Sequence, residues 1–105
     1  MINEESKGYE DWNTEDHSIY QLSLFVAGTS SLSMRAINNL KIILTEHLEG
    51  KYELEVIDVH QQPLKAVSED ITAVPMLIKK HPSPSRKLIG DMSNTAKVLR
   101  GLGIK

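Results

Sequence analysis

The chain has 105 residues, of which 40 % are apolar and 25 % charged, a length and mixture suited to one soluble domain with one core. It contains no cysteine, which excludes disulfides, thiolate nucleophiles, Cys-based zinc sites and dithiol redox chemistry together. Its formal charge of −2 argues against a general polyanion binder, no apolar run approaches the ~20 residues of a membrane helix, and the acidic N-terminus lacks a secretory apolar region, so a cytoplasmic protein is the default expectation.

Residues 1–18 carry six acids (Glu4, Glu5, Glu10, Asp11, Glu15, Asp16) against Lys7 alone. With only Ile2, Tyr9 and Trp12 as large apolar residues and no period, this leader reads as a flexible acidic arm, docking of Trp12 on a neighbouring surface being the alternative. Residues 19–105 form the domain. Tyr20 to Val26 alternates and then turns wholly apolar, the pattern of a strand entering a core. Gly28-Thr29-Ser30-Ser31 breaks it, and Ser31 or Ser33 is placed to cap a helix. From Ser33 to Leu48, Met34, Ile37, Leu40, Ile43, Leu44 and Leu48 recur at spacings of three and four, which predicts an amphipathic helix ending at Gly50. Tyr52 to Val59 is a second strand, parallel to the first because a full helix joins them. Pro63 opens a short helix with a stripe of Leu64, Val67 and Ile71. Met76-Leu77-Ile78 is a third strand, Pro82-Ser83-Pro84 a turn, and Arg86 to Ile89 a partner strand closed by Gly90-Asp91. Asp91 or Ser93 caps a last helix from Asn94, with Ala96, Leu99 and Leu102 on one side.

The order β-α-β, α, β-β-α is an α/β domain with the thioredoxin layout, in which Pro75 stands at the position of the cis-proline. That layout places its redox motif at Gly28 to Ser31, where serine hydroxyls cannot shuttle two electrons. The serines read as caps, since the Gly-x-Ser-x-Gly pattern fails at Leu32. His17, His47, His60 and His81 show no ligand spacing, and Asp58 reads as a cap for the loop after its strand. Seven bases against Asp91 alone fill residues 76–105. Without interleaved aromatics they form a solvated face or a surface for an acidic protein rather than a nucleic-acid patch. The chemistry therefore points to a binding module, not an enzyme, and to no cofactor or metal.

Leu24-Phe25-Val26-Ala27-Gly28, Ser33-x-Arg35-Ala36 and Asn39-Leu40-Lys41-x-Ile43-Leu44 resemble the first βα unit of the KaiB family of bacterial circadian clock proteins. Val56-Ile57-Asp58-Val59, Pro63, Ile71-x-Ala73-x-Pro75-x-Leu77, Pro82-x-Pro84, Leu88-Ile89-Gly90-Asp91-Met92-Ser93 and Lys97-Val98-Leu99 follow without a gap, so the resemblance covers residues 20–104. It implies a non-enzymatic regulator that binds the ring ATPase KaiC, and a chain with two folds. One is a self-associated βαββααβ form, usually tetrameric; the other is a thioredoxin-like monomer that binds KaiC. Both share the βαβ half, and they differ in whether the second half is of ββα type. Such a switch needs two packings within a few kcal/mol. The resemblance makes Tyr20, Arg35, Asp70, Pro75, Arg86, Gly90, Asp91, Gly101 and Gly103 the partner-binding or fold-switch residues.

Tyr20 and Gly101 match positions that bias the two folds, while Gly103 replaces an aspartate and Asp70 a lysine used in docking. Charge reversal at a close contact costs several kcal/mol. The family's acidic, tyrosine-bearing tail has no counterpart after Ile104-Lys105, and the acidic leader is additional. Gly101 and Gly103 are each expected to weaken a terminal helix by about 1 kcal/mol relative to alanine. The expected partners are a KaiC-like ATPase and a second copy of the chain, as homodimer or homotetramer. The alternative is a thioredoxin-like stress-response protein that no longer binds KaiC.

Overall fold

The computed structural model describes residues 19–104. The acidic leader lies outside the described residues. The elements are β1 (Tyr20–Val26), α1 (Ser31–Leu48), β2 (Tyr52–Asp58), α2 (Pro63–Ser68), β3 (Met76–His81), β4 (Arg86–Ile89) and α3 (Thr95–Leu102). The four strands form one sheet in the order β2-β1-β3-β4. β1 and β2 are parallel, from Tyr20 opposite Tyr52 to Val26 opposite Asp58, as a helical crossover requires. β3 returns antiparallel to β1 and pairs with β4 in a hairpin, Lys79 opposite Arg86 and Met76 opposite Ile89. The second half is thus of ββα type, the thioredoxin-like alternative, and not the βαββααβ arrangement.

Strand alternation sends Leu22, Leu24 and Val26 to one face and Phe25 to the other. On the first face they meet Leu40, Leu44 and Leu48 of α1 and Val98 and Leu102 of α3. On the second, Phe25, Ile57, Met76 and Ile78 pack under Val59, Ile71 and Val74. α2 runs over this second face but buries none of its own side chains.

Several helix details differ from expectation. α1 is capped by Ser30, whose Oγ accepts from the Ser33 amide at 3.2 Å, rather than by Ser31 or Ser33. Ser33 is fully buried, and its Oγ accepts the Ala27 amide at 3.0 Å. The helix therefore starts two residues early and turns Ala36 inward, leaving Met34 43 % exposed. α3 is capped by Asn94, not Asp91 or Ser93, so Val98 and Leu102 form its buried seam and Ala96 faces out. The Leu64–Val67 stripe of α2 also faces out, at 83 % and 77 % exposure. The helix ends at Ser68, so Ile71 lies beyond it and, with Val74 from the connecting segment, covers the core beneath.

Gly103 does not weaken α3. It closes the helix in the left-handed region at φ 81°, its amide donating to the Arg100 carbonyl at 3.1 Å. Glycine adopts that conformation without steric cost. No helix among the described residues is long and apolar enough to cross a membrane.

Candidate functional site

Helix α1 leaves the sheet where β1 ends, and β3 starts at that same end because it is antiparallel to β1. This upper end holds Arg35, Pro75, Gly90 and Asp91. The Val74–Pro75 peptide is cis, as are His81–Pro82 and Ser83–Pro84. The Gly90 amide donates to the Pro75 carbonyl at 3.0 Å, extending the hairpin ladder by one bond. Gly90 takes φ 127°, a conformation open to glycine and strained for other residues. Asp91 follows, its Oδ2 3.5 Å from Arg35 Nε and its Oδ1 accepting the Ser93 amide at 3.0 Å. Asn39 Nδ2 donates to the Asp91 carbonyl at 2.9 Å. The Ser93 hydroxyl and amide, and after them the Arg35 guanidinium, hold the Asp91 carboxyl below the usual aspartate range. The run around Gly90-Asp91 is thus a clasp that ties the hairpin to α1.

A cavity of about 180 Å³ opens beside this clasp, lined by residues that include Leu88, Met92, Asn94 and Lys97. Small-molecule pockets commonly hold ~300–1,000 Å³, so the space is too small to argue for a metabolite.

Also at the upper end, Asp58 Oδ1 accepts the Gly28 amide at 3.2 Å and the His60 amide at 2.9 Å. That is the expected loop cap, extended to the loop after β1. The Ser30 hydroxyl bonds to Ser33 Oγ at 2.9 Å. It is engaged in capping. Among the described residues no group of three or more His, Asp or Glu is placed to hold a metal ion.

The lower end holds the other predicted set. Tyr20 starts β1, and its amide donates to the Lys51 carbonyl at 2.9 Å. Its side chain packs against the core of the α1–α3 face. Arg86 starts β4 and lies opposite Lys79. Gly101, within α3, faces Leu88 so closely that a methyl group there would come within 2.5 Å of Leu88 Cδ1. Gly103 ends the helix over Lys79, where an added Cβ would stand 3.7 Å from the lysine Nζ. Asp70 belongs to neither end. It follows α2 in the left-handed region at φ 58°, exposed on the second face. There Lys80 Nζ bonds Glu69 Oε2 at 2.7 Å and Lys87 Nζ bonds the Glu69 carbonyl at 3.1 Å.

The structure adds one residue that sequence reasoning passed over. Lys79 is only 4 % exposed. Burial, and then the adjacent Arg86, push its ammonium below the usual lysine range. Its signal was the strand period, which puts Leu77 and Lys79 on the same face under α3.

Comparison with known proteins agrees with this geometry. Among solved structures, the N-terminal domain of Synechococcus elongatus SasA superimposes with a TM-score of 0.70 at 24 % identity, over 94 % of this chain and 93 % of that one. Mitochondrial thioredoxin 3 of Saccharomyces cerevisiae gives 0.67 at 18 % identity, over 86 % and 87 %. At such identities these establish a thioredoxin-like fold. The circadian clock oscillator protein KaiB of Prochlorococcus marinus subsp. pastoris is 49 % identical over 85 residues, covering 81 % of this chain and 79 % of the relative. The circadian clock protein KaiB3 of a Synechocystis species is 48 % identical over 83 residues, covering 79 % and 81 %. The family model described as the KaiB domain matches residues 23–104. The chain belongs to the KaiB family.

Proposed function

We propose that this protein is a non-enzymatic clock-type regulator that acts by docking on a KaiC-like ring ATPase. Its relatives carry circadian clock names, and by resemblance the thioredoxin-like form is the one that engages KaiC. The observation that carries the reading is the second face of the sheet. α2 presents Leu64 and Val67 bare to solvent at i and i+3, and covers nothing with them. Exposed apolar side chains on one helix face, beside charged neighbours, are the anchors of a helix-type docking surface. Asp70 stands at the end of this helix, where the family has a docking lysine.

The test is to mix the chain with a KaiC-like ATPase and follow complex formation over hours by size exclusion. A complex is expected. Leu64→Glu with Val67→Glu should weaken it at least about tenfold, the loss of ~1.4 kcal/mol or more, without unfolding a chain in which both side chains are exposed. Asp70→Lys should tighten it, since the reversal removes a like-charge contact. Absence of any complex, with Asp70→Lys as well as without, would overturn the reading.

A further inference from the structure

The second face of the sheet is apolar only around Phe25. Below it, strand alternation puts Ser23 and Gln21 of β1 beside Glu55 and Glu53 of β2. The β1–β3 ladder shifts between Gln21 and Leu22, and Lys80 of β3 is the residue left over by that shift. These five side chains line a groove of about 260 Å³. Ser23 belongs to its lining yet is only 3 % exposed, and among the described residues its hydroxyl makes no hydrogen bond. Folded proteins leave few buried hydroxyls without a partner, so this one marks a place for a guest.

The charges around the groove decide its sign. Lys65 Nζ lies 2.9 Å from Glu55 Oε2, and Lys80 Nζ lies 2.7 Å from Glu69 Oε2, so both lysines have their carboxylates. Glu53 forms no ion pair among the described residues. The charge left over is one carboxylate, which calls for a cation. The guest is an organic cation, since no group of three or more His, Asp or Glu among the described residues is placed to hold a metal ion. Acceptors stand at three corners: Gln21 and Ser23 are ~7 Å apart along β1, and Glu53 is ~5 Å across the ladder from Gln21. A guanidinium carries five donors in a planar fork and reaches several acceptors at once, whereas an ammonium is a point charge. The stem of Lys80 gives its alkyl chain an apolar wall. Small-molecule pockets commonly hold ~300–1,000 Å³, so this smaller groove suits one side chain rather than a whole metabolite.

We propose that the groove receives the guanidinium of an arginine side chain from a partner protein, with Ser23 Oγ, the Gln21 side-chain oxygen and the Glu53 carboxylate as its acceptors. The site uses neither Leu64 nor Val67 and needs no KaiC-like ring, so its test stands apart from the docking reading above.

N-acetyl-L-arginine amide is titrated into the isotope-labelled full chain, and the backbone amide signals are followed by NMR. Shifts are expected at Gln21, Ser23, Glu53 and Lys80, saturating with a Kd on the order of 1 mM. The neutral isostere N-acetyl-L-citrulline amide should leave these signals in place. Glu53→Gln should raise the Kd about fivefold or more, and Ser23→Ala about threefold or more. Ser23→Ala removes a hydroxyl that bonds nothing in the fold, so its urea midpoint should match the parent. Equal shifts with the citrulline probe, or a Kd that ignores both substitutions, would overturn the proposal. Shifts centred elsewhere on the chain would do so too.

Discussion

A methyl group at Gly101 would come within 2.5 Å of Leu88 Cδ1 and 3.0 Å of its Cγ. Alanine in a helix interior gains about 1 kcal/mol over glycine, but overpacking costs ~1–3 kcal/mol, and here the branch carbon itself is in the way. Gly101→Ala is expected to lower the stability of the thioredoxin-like form by about 1 kcal/mol in urea unfolding. In a Leu88→Ala background the same change should be neutral or stabilising; a loss in both would refute the steric account. Asp91 acts through charge. Its folded pKa lies below the ordinary 3.8, chiefly through the Ser93 hydroxyl and amide. The fold thus binds the proton less readily than the unfolded chain does. The stabilisation is full above the ordinary value and is lost as pH falls through the lower folded one. Asp91→Asn should flatten the stability profile in that acid window and leave its shape near neutrality unchanged, as read by urea midpoints across pH.

The helices separate what the sequence makes legible from what only packing decides. Spacings of three and four revealed α1 and its inward residues Leu40, Ile43, Leu44 and Leu48, because an 18-residue helix carries many turns of periodic signal. They did not reveal which way α2 faces. Six residues hold one stripe, and that stripe reads the same whether it meets a core or a partner. Leu40 is fully buried and Leu64 almost bare, so the two leucines test this difference. Leu40→Ala should cost about 2–5 kcal/mol, and Leu64→Ala should lie within about 0.5 kcal/mol of the parent in urea unfolding. Of the candidate site, the Gly90-Asp91 clasp was visible as a motif, but its partners Arg35 and Asn39 lie over fifty positions away. Lys79 escaped notice because a lysine next to Lys80 looks like solvated charge. Only the position of α3 above it makes it a buried one.

At the scale of the molecule, the chain holds a thioredoxin-like layout from which thioredoxin chemistry is absent, since there is no cysteine for the loop after β1 to use. What the fold offers instead is surface: a bare α2, a basic hairpin end and a clasp that fixes the hairpin to α1. The KaiB family resemblance implies a second, self-associated arrangement of the same chain. A form present at only a fraction of the population lowers apparent affinity by that fraction and slows association. In this chain Gly103 caps α3 in the left-handed region, a conformation that glycine takes without steric cost. The most direct measurement of the central claim is the mass of the species formed when the full chain is incubated for hours with a KaiC-like ATPase. With docking through α2, a complex of ring and bound chains forms with the parent and is lost with Leu64→Glu and Val67→Glu. A ring that stays bare with parent and Asp70→Lys chains alike would contradict it.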